Sequence, residues 1–385
     1  MLRADLIRFL VIRLAIVAAM LLGLEFAFRH GAWEWLAKRE SNAGQTIAMK
    51  RALLALGPEK IDYVTFGDSR TVYGIDHERI AAAARARGLT HASVAIPGMH
   101  WMSLEMLVRW LREHAPQLRG AVISTTISGF NYLGNGAYEL NMAAPLAPSW
   151  DRDWMRQHVP FEPGNLATYG SQSALFLYRE DVQDLVKHTS RRLREAGGLL
   201  TQPPSTGTLF TRQRVASDLC TVPIDNIAAC AAANPVAPVT STVMQCRQWQ
   251  REASQRADFR DRSQLPHLAE VKTVRDRQLR GLPYPRPILV VLMPMPGVWR
   301  DEVIPQGAEA WARSLLKPLQ DEGIIEVHDF TDFFRGANGP ECAAFWDLYH
   351  QNSAGQDRLT DALLPILEQR LYRTKPLAPA GGARP

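Results

Sequence analysis

The chain has 385 residues, a length that suits one large domain together with a membrane segment. Hydrophobic residues make up 46% of it and charged residues 22%, which is typical of a globular protein rather than a disordered or fibrous one. The net charge of +5 is mild, and the arginines are scattered among acidic residues. We therefore expect no nucleic-acid partner.

Residues 9–28 are predicted to form a membrane anchor, preceded by a cytoplasmic amino terminus at residues 1–8. The run 9–28 is apolar and long enough to cross a hydrocarbon core of about 30 Å as a helix. Arg3, Arg8 and Arg13 place the amino terminus in the cytoplasm by the positive-inside rule. A cleaved signal peptide is the alternative, but no Ala-x-Ala site closes the run. The sequence favours a single-pass anchor in the inner, or cytoplasmic, membrane, with the rest of the chain periplasmic or extracellular.

Glu25 is an acidic residue near the exit end of the apolar run. It has two interpretations: an interfacial charge that reaches the headgroups, or a contact to a partner membrane protein. The first interpretation is favoured.

The four cysteines are Cys220, Cys230, Cys246 and Cys342. None forms a Cys-x-x-Cys pair, which argues against a zinc knuckle. Either four buried thiols or two disulfides fit the count, and the predicted export favours disulfides. Four cysteines allow three pairings, among which the sequence does not choose.

After a helical linker at residues 29–60, strand-like and helix-like segments alternate. Short apolar, β-branched runs predict strands at 61–66, 91–96, 121–127, 287–293 and 324–330. Apolar residues at helical spacing predict helices at 77–87, 102–114, 306–322 and 353–372. This alternation indicates an α/β domain with a parallel sheet covered on both faces.

The predicted domain spans residues 61–372 and carries a large insertion at about 135–283. The insertion holds three of the four cysteines and shows plausible helices at 179–196 and 246–280. A separate middle domain is the alternative. The tail at 373–385 is rich in Pro, Gly and Ala and is predicted to be disordered.

Polar and glycine motifs follow the predicted strands. Ser69 lies in a Gly-Asp-Ser-Arg sequence after the first strand, Gly98 follows the second, and Asn131 follows the third. Asp347 and His350 form an Asp-x-x-His sequence before the last helix. Because ligands bind at the carboxyl ends of strands in doubly wound folds, we expect these residues to face one crevice.

These blocks resemble the SGNH hydrolase superfamily, also called the GDSL family, which has them in the same order. The resemblance implies a three-layer α/β/α, flavodoxin-like domain with about five parallel strands. The family's Gly-x-Asn is usually followed by Asp, whereas Tyr132 follows here. Asn135 is therefore a fallback for Asn131.

The resemblance also implies a role for each motif residue. Ser69 is the expected nucleophile, His350 the base that takes its proton, and Asp347 the carboxylate that fixes the imidazole tautomer. The backbone N–H groups of Ser69 and Gly98 and the side-chain amide of Asn131 are the expected oxyanion-hole donors.

Each of these residues also has a purely structural interpretation. Asp68 and Ser69 could cap the helix that follows them, and Asp347 or Ser353 could cap the last helix. Gly98 could serve only a turn. The joint occurrence of the motifs favours the catalytic interpretation.

Arg70 is a weaker candidate for substrate binding. Beside the nucleophile, it could bind a substrate carboxylate or phosphate. It could equally form an ion pair with Asp76 or Glu78, and this structural pair is slightly favoured.

An exported domain of this type on one membrane helix resembles the SGNH proteins that partner multi-pass membrane-bound O-acyltransferases, and the D-alanyl-transfer protein of teichoic acid modification. This likeness implies acyl transfer, acetyl by analogy, to an envelope or secreted polysaccharide through an acyl-Ser69 intermediate. A membrane-anchored esterase and a non-catalytic scaffold or glycan-binding protein are the alternatives. The sequence shows no metal cluster and no nucleotide-binding glycine loop, so no cofactor is expected.

Overall fold

The computed structural model of this chain describes residues 2–131, 136–147, 169, 173–201, 205–256, 268–336 and 340–372. The chain divides into two compact units, which are described separately below. The helical unit comprises Met1–Ala55 and Gly134–Ser205, and the sheet unit comprises Leu56–Leu133 and Thr206–Pro385. The sequence predicted to form one insertion at 135–283 is thus shared between the two units.

A five-stranded parallel sheet forms the centre of the sheet unit, in the order β2-β1-β3-β4-β5. Its strands are β1 (Tyr63–Phe66), β2 (His91–Ser93), β3 (Gly120–Thr125), β4 (Ile288–Leu292) and β5 (Ile325–Asp329). The α/β class and the parallel sheet of about five strands are confirmed. The order is that of flavodoxin-like folds, in which the direction of strand addition reverses between β1 and β3. Ligands bind in the crevice that forms there.

Strand β2 is shorter than predicted, because it ends at Ser93 rather than at residue 96. The chain nevertheless continues beside β1. The Val94 N–H donates to the Thr65 carbonyl at 2.9 Å, and the Ile96 N–H donates to the Gly67 carbonyl at 3.0 Å. These two bonds fix the loop after β2 against the loop after β1.

Helices connect the strands and cover the sheet. In the sheet unit the described helices are Ser69–Gly74, His77–Arg85, Trp101–His114, Ile227–Ala232, Thr240–Gln255, Leu268–Arg280, Gly297–Glu302, Ala308–Asp321 and Ser353–Arg370. The helices predicted at 77–87, 102–114, 306–322 and 353–372 are confirmed to within two residues at each end. The predicted stretch at 246–280 instead contains the end of one helix and the whole of another, and residues 257–267 between them lie outside the described part.

The helical unit begins with the predicted membrane segment. Its described helices are Leu2–Arg29, Trp33–Leu36, Asn42–Leu56, Gly136–Ala143, Ala174–Leu177, Arg179–Lys187 and Thr189–Thr201. Within the first of these, Ile7–Arg29 is long and apolar enough to cross a membrane, with a mean hydropathy of 2.3 in its most apolar part and none of that part buried.

Glu25 makes an internal contact that neither sequence interpretation foresaw. Its carboxylate accepts hydrogen bonds from the Ser173 hydroxyl at 2.9 Å and from the Ala174 and Leu175 N–H groups at 3.0 Å each. Arg29, one turn later, also donates to it. The carboxylate therefore satisfies free N–H groups at the start of helix Ala174–Leu177 and ties this helix to the end of the apolar segment.

The four cysteines form two disulfides, Cys220–Cys342 and Cys230–Cys246. No cysteine is free, and all four lie in the part of the chain that the structure describes. The predicted disulfides are thus present, with one of the three possible pairings. The second bridge joins two neighbouring helices, whereas the first joins chain positions 122 residues apart.

Two histidines are buried in the sheet unit: His77 begins helix His77–Arg85, and His91 lies in β2. His77 donates to the Thr71 carbonyl at 3.2 Å, and His91 is bonded to the Thr65 hydroxyl at 2.8 Å and to the Tyr372 hydroxyl at 2.5 Å. Because burial penalises the charged imidazolium, it lowers the pKa of His77 to about 4 and that of His91 to about 3. Both side chains are therefore neutral in the folded protein at pH 7.

These depressed pKa values predict acid sensitivity. Stability is fully present above pH 6.5 and is lost as the pH falls toward 4, because only the unfolded chain binds protons on these histidines in that window. The loss is about 1.4 kcal/mol per pH unit for each histidine. In the detergent-solubilised full chain, the thermal midpoint should fall less between pH 6.5 and 4.5 in a His77→Gln/His91→Gln variant than in the parent. The exposed His114→Gln variant should show the same fall in thermal midpoint as the parent over this pH range. If the thermal midpoint of the double variant fell as much as the parent's between pH 6.5 and 4.5, the two histidines would not be the source of the acid sensitivity.

Candidate active site

Ser69 begins the short helix that follows β1, and the residues before it fix its position. A Cβ on Gly67 would lie 1.9 Å from the Thr71 hydroxyl oxygen, so only glycine fits this turn. Asp68 caps the helix, because its Oδ1 accepts from the Arg70 N–H at 2.9 Å. The cap predicted for Asp68 is confirmed, and it leaves the Ser69 hydroxyl available for other contacts.

Asp347 and His350 lie in a closed loop, residues 345–352, called the Asp347 loop. An antiparallel bridge between Phe345 and Gln351 closes it. The helix that follows is capped by Asn352, whose Oδ1 accepts from the Gly355 N–H at 2.9 Å. The structural alternative that Asp347 or Ser353 caps this helix is therefore wrong, because Asn352 fills that position.

Asp347 instead organises its own loop. Its Oδ1 accepts from the N–H groups of Tyr349 and His350 at 2.7 Å each. Its Oδ2 lies 2.8 Å from His350 Nδ1. One carboxylate thus holds both the backbone and the imidazole of the loop, and it favours the tautomer in which Nδ1 carries the proton.

The structure brings Ser69, His350 and Asp347 together. Ser69 Oγ lies 2.8 Å from His350 Nε2, on the ring edge opposite the bond to Asp347. With the proton on Nδ1, the free Nε2 lone pair accepts the serine O–H. This is the arrangement in which an imidazole can remove a serine proton during attack on a carbonyl.

Aromatic rings surround the imidazole and restrict its orientation. Trp346 is stacked on His350 with ring centroids 5.3 Å apart and planes at 13°. Tyr73 contacts the same ring edge-on at 5.2 Å. Sequence reasoning did not identify either residue, although an aromatic residue directly before the Asp-x-x-His motif is a signal that could have done so for Trp346.

Gly98 lies in a tight turn beside this site. The Met99 N–H donates to the Ile96 carbonyl at 2.9 Å, Pro97 is the second residue, and Gly98 has φ +78°, which is the pattern of a type II turn. The turn predicted for Gly98 is therefore present. The N–H groups of Gly98 and Ser69 have no acceptor among the described residues. Both remain available as oxyanion donors.

Asn131 ends a short 3-10 helix, Ile127–Asn131, directly after β3. Its backbone thus follows the strand next to β1, at the carboxyl edge of the sheet. Its side chain and the fallback residue Asn135 lie outside the described part of the chain. The expected third oxyanion donor therefore stays a prediction.

Arg70 forms an ion pair, but with a different residue from those expected. Its Nη1 lies 2.9 Å from Asp68 Oδ2, and its guanidinium stacks over the rings of Trp299 at 4.5 Å and Tyr349 at 5.7 Å. The expected pairing with Asp76 or Glu78 is wrong. The Asp76 carboxylate is 3.0 Å from an arginine far along the chain, at position 212.

A cavity of about 670 Å³ adjoins Ser69 at the carboxyl edge of the sheet. It is lined by Gly67, Asp68, Arg70, Met99, His100, Trp101, Leu104, Ile123, Ser124, Thr125, Thr126, Ser128, Gly129, Trp299 and Tyr349. Most of these residues lie at the end of β3 or in the segments after β1, β2 and β3, while Trp299 follows β4 and Tyr349 lies in the Asp347 loop. The cavity thus occupies the crevice where the strand order reverses. Among the described residues, no group of three or more His, Cys, Asp or Glu is placed to hold a metal ion.

Comparison with known proteins adds no family assignment to this geometry. No protein-family model matches the chain, and no curated protein matches it. The likeness to SGNH proteins therefore rests on the motif residues and on the distances between them.

The Cys220–Cys342 disulfide lies next to the Asp347 loop, whereas the helix that carries Cys246 reaches this loop through the edge-on contact of Trp249 with Tyr349 at 6.2 Å. Residues 215–220, called the strap, run past both ends of this loop. The Ser353 N–H donates to the Val215 carbonyl at 2.7 Å, just after the loop. The Cys220–Cys342 bridge joins the strap to the chain just before it. The bridge thus fixes the segment that carries Asp347 and His350.

Removal of this bridge should affect the site more than removal of the other. A Cys220→Ser/Cys342→Ser variant should react with a fluorophosphonate serine probe about tenfold more slowly than the parent, because a small displacement of the imidazole weakens the activation of Ser69. The matched Cys230→Ser/Cys246→Ser variant should react at a rate close to the parent's. Both are measured well below their thermal midpoints. Equal rates for the two variants would contradict the positioning role of the Cys220–Cys342 bridge.

Proposed function

We propose that this chain is a membrane-anchored serine acyltransferase of the SGNH type. It transfers an acyl group, acetyl by analogy, to a hydroxyl of an envelope or secreted polysaccharide. The observation that carries the proposal is the continuous set of hydrogen bonds from Ser69 Oγ through His350 to Asp347, with both distances at 2.8 Å. The resemblance of the motif order supports it.

The first half-reaction forms an acyl-serine ester. Ser69 Oγ attacks the carbonyl carbon of the acyl donor while its proton passes to His350 Nε2, and Asp347 stabilises the resulting imidazolium. The carbonyl oxygen becomes an oxyanion, to which the N–H groups of Ser69 and Gly98 donate. The bond to the leaving group then breaks, and the leaving group takes the proton from His350.

The second half-reaction transfers the acyl group. A hydroxyl of the acceptor gives its proton to His350 Nε2, and its oxygen attacks the carbonyl carbon of acyl-Ser69. The tetrahedral intermediate collapses, the bond to Ser69 Oγ breaks, and the serine regains its proton from His350. If water attacks instead, the same residues catalyse ester hydrolysis.

The apolar segment is the reason for proposing acyl transfer to a sugar rather than hydrolysis of an ester. A retained anchor keeps the catalytic unit next to a multi-pass membrane-bound O-acyltransferase that supplies acyl groups through the membrane. Such confinement raises the effective concentration of the donor. Arg3, Arg8 and Arg13, which precede or open the span, and the two disulfides after it support a catalytic unit on the periplasmic or extracellular side.

The decisive variant is Ser69→Ala in the detergent-solubilised full chain, assayed with p-nitrophenyl acetate. Loss of the nucleophile should reduce kcat about 10⁴-fold or more, because the triad acts as one unit. Ser254→Ala, which removes a hydroxyl on an exposed helix, should leave kcat unchanged. Parent-like hydrolysis by Ser69→Ala would refute serine catalysis. With tetrasaccharides present, mass spectrometry should detect acetylated sugar. Hydrolysis without any sugar product would favour the esterase.

A further inference from the structure

The cavity beside Ser69 is much larger than an acetyl group requires. Its volume is about 670 Å³, whereas a group of three heavy atoms occupies little more than a few water molecules at about 30 Å³ each. Asp68 and Arg70 on either side of Ser69 line it, and so does Tyr349, the neighbour of His350. The cavity therefore has room for a second, larger substrate next to the reacting atoms.

Charged and polar side chains in the lining disfavour a long acyl chain. Besides Asp68 and Arg70, it includes His100, and all three of these side chains are partly exposed. An apolar chain against these groups would deprive them of water without replacing its hydrogen bonds. The lining also includes aromatic rings, of which Trp299 and Tyr349 are partly exposed. Polar groups beside aromatic rings favour a sugar ring as the ligand, because its hydroxyls can bond the polar groups while its face packs on an aromatic ring.

Arg70 has hydrogen-bond capacity to offer such a ring. Of its five N–H donors, one binds Asp68 Oδ2 and the Nε–H is buried out of a ligand's reach, whereas the two on Nη2 have no partner among the described residues. The contact with the Trp299 ring, whose centroid lies 4.5 Å from Arg70 Cζ, and the bond to Asp68 restrict the position of the guanidinium. The side chain remains 16% exposed.

Charge distinguishes a neutral sugar from an acidic one. Asp68 lies 2.9 Å from Arg70 and offsets its charge, and among the lining residues there is no other arginine or lysine. Burial lowers the pKa of His100, which disfavours a cation there. Arg275 stacks behind Trp101 and does not line the cavity. A sugar carboxylate in the cavity would therefore lie near the Asp68 carboxylate, and the only lining arginine would already be paired with Asp68.

We infer that this cavity is the acceptor subsite, that it binds an uncharged sugar ring, and that Arg70 is the residue that recognises the ring hydroxyls. This inference rests on the proposed acyl transfer. The Asp68–Arg70 pair places acceptors and donors side by side, which suits neighbouring hydroxyls of a sugar. A ring held there lies beside Ser69, so one of its hydroxyls is positioned for attack on the acyl ester.

Binding is tested without turnover in the full-length Ser69→Ala protein in detergent. The probes are cellotetraose, maltotetraose, laminaritetraose and chitotetraose as neutral chains and tetragalacturonate as the acidic chain, and the readouts are calorimetry and tryptophan fluorescence. At least one neutral chain should bind at least about tenfold more tightly than tetragalacturonate. Arg70→Lys, which keeps the charge but loses the planar fork, should weaken that binding by about tenfold or more. The control Arg313→Lys alters an exposed ion pair elsewhere and should leave the affinity unchanged.

Three results would overturn the inference: preferred binding of tetragalacturonate, equal affinity in the Arg70→Lys protein, or no binding of any tetrasaccharide. The rate of fluorophosphonate labelling of Ser69, measured in proteins that retain this serine, tests the serine chemistry independently of sugar binding. Fast labelling without sugar binding would refute the acceptor subsite but not the serine chemistry. Sugar binding without labelling would refute the proposed chemistry but not the subsite. In an Arg70→Lys protein that retains Ser69, labelling at more than half the parent's rate shows that the fold is intact.

Discussion

The hydrogen bond between Ser69 Oγ and His350 Nε2 is the interaction on which the candidate site depends. Its two residues are 281 positions apart, so no local structure can form it. The bond exists because helix Ser353–Arg370 packs against the chain after β1. There the Asp76 N–H donates to the Thr360 hydroxyl at 2.9 Å, and Gln356 Nε2 donates to the carbonyl at position 75 at 3.1 Å. The docking of the last helix therefore brings the imidazole to the serine.

Carboxylates organise both halves of this site. Asp347 holds the backbone of its loop with one oxygen and the imidazole with the other. Asp68 caps the Ser69 helix with one oxygen and orients the Arg70 guanidinium with the other. The position of the nucleophile and the shape of the adjoining cavity are thus coupled through a single side chain. A change at Asp68 would consequently disturb the position of Ser69 and the recognition of an acceptor together.

Sequence patterns were sufficient for the features that depend on neighbouring residues. The strand after residue 60, the cap at Asp68 and the glycine turn at Gly98 each follow from a few adjacent side chains. The hydrogen-bond partners of Glu25 and Arg70 could not be predicted from adjacent residues. Glu25 binds the start of a helix nearly 150 residues away, and Arg70 turns back to Asp68 because the rings of Trp299 and Tyr349 hold its guanidinium there. The disulfide pairing likewise depends on tertiary contacts that no spacing rule encodes.

The central claim is that Ser69 carries the acyl group, and peptide mass spectrometry tests it most directly. The detergent-solubilised full chain is mixed with p-nitrophenyl acetate, quenched in acid within the first turnover and digested. The account predicts one added acetyl group on the peptide that contains Ser69, and none on that peptide from the Ser69→Ala protein. Turnover of the ester with no acetyl group on Ser69 at any quench time, or with acetyl on another residue, would contradict it.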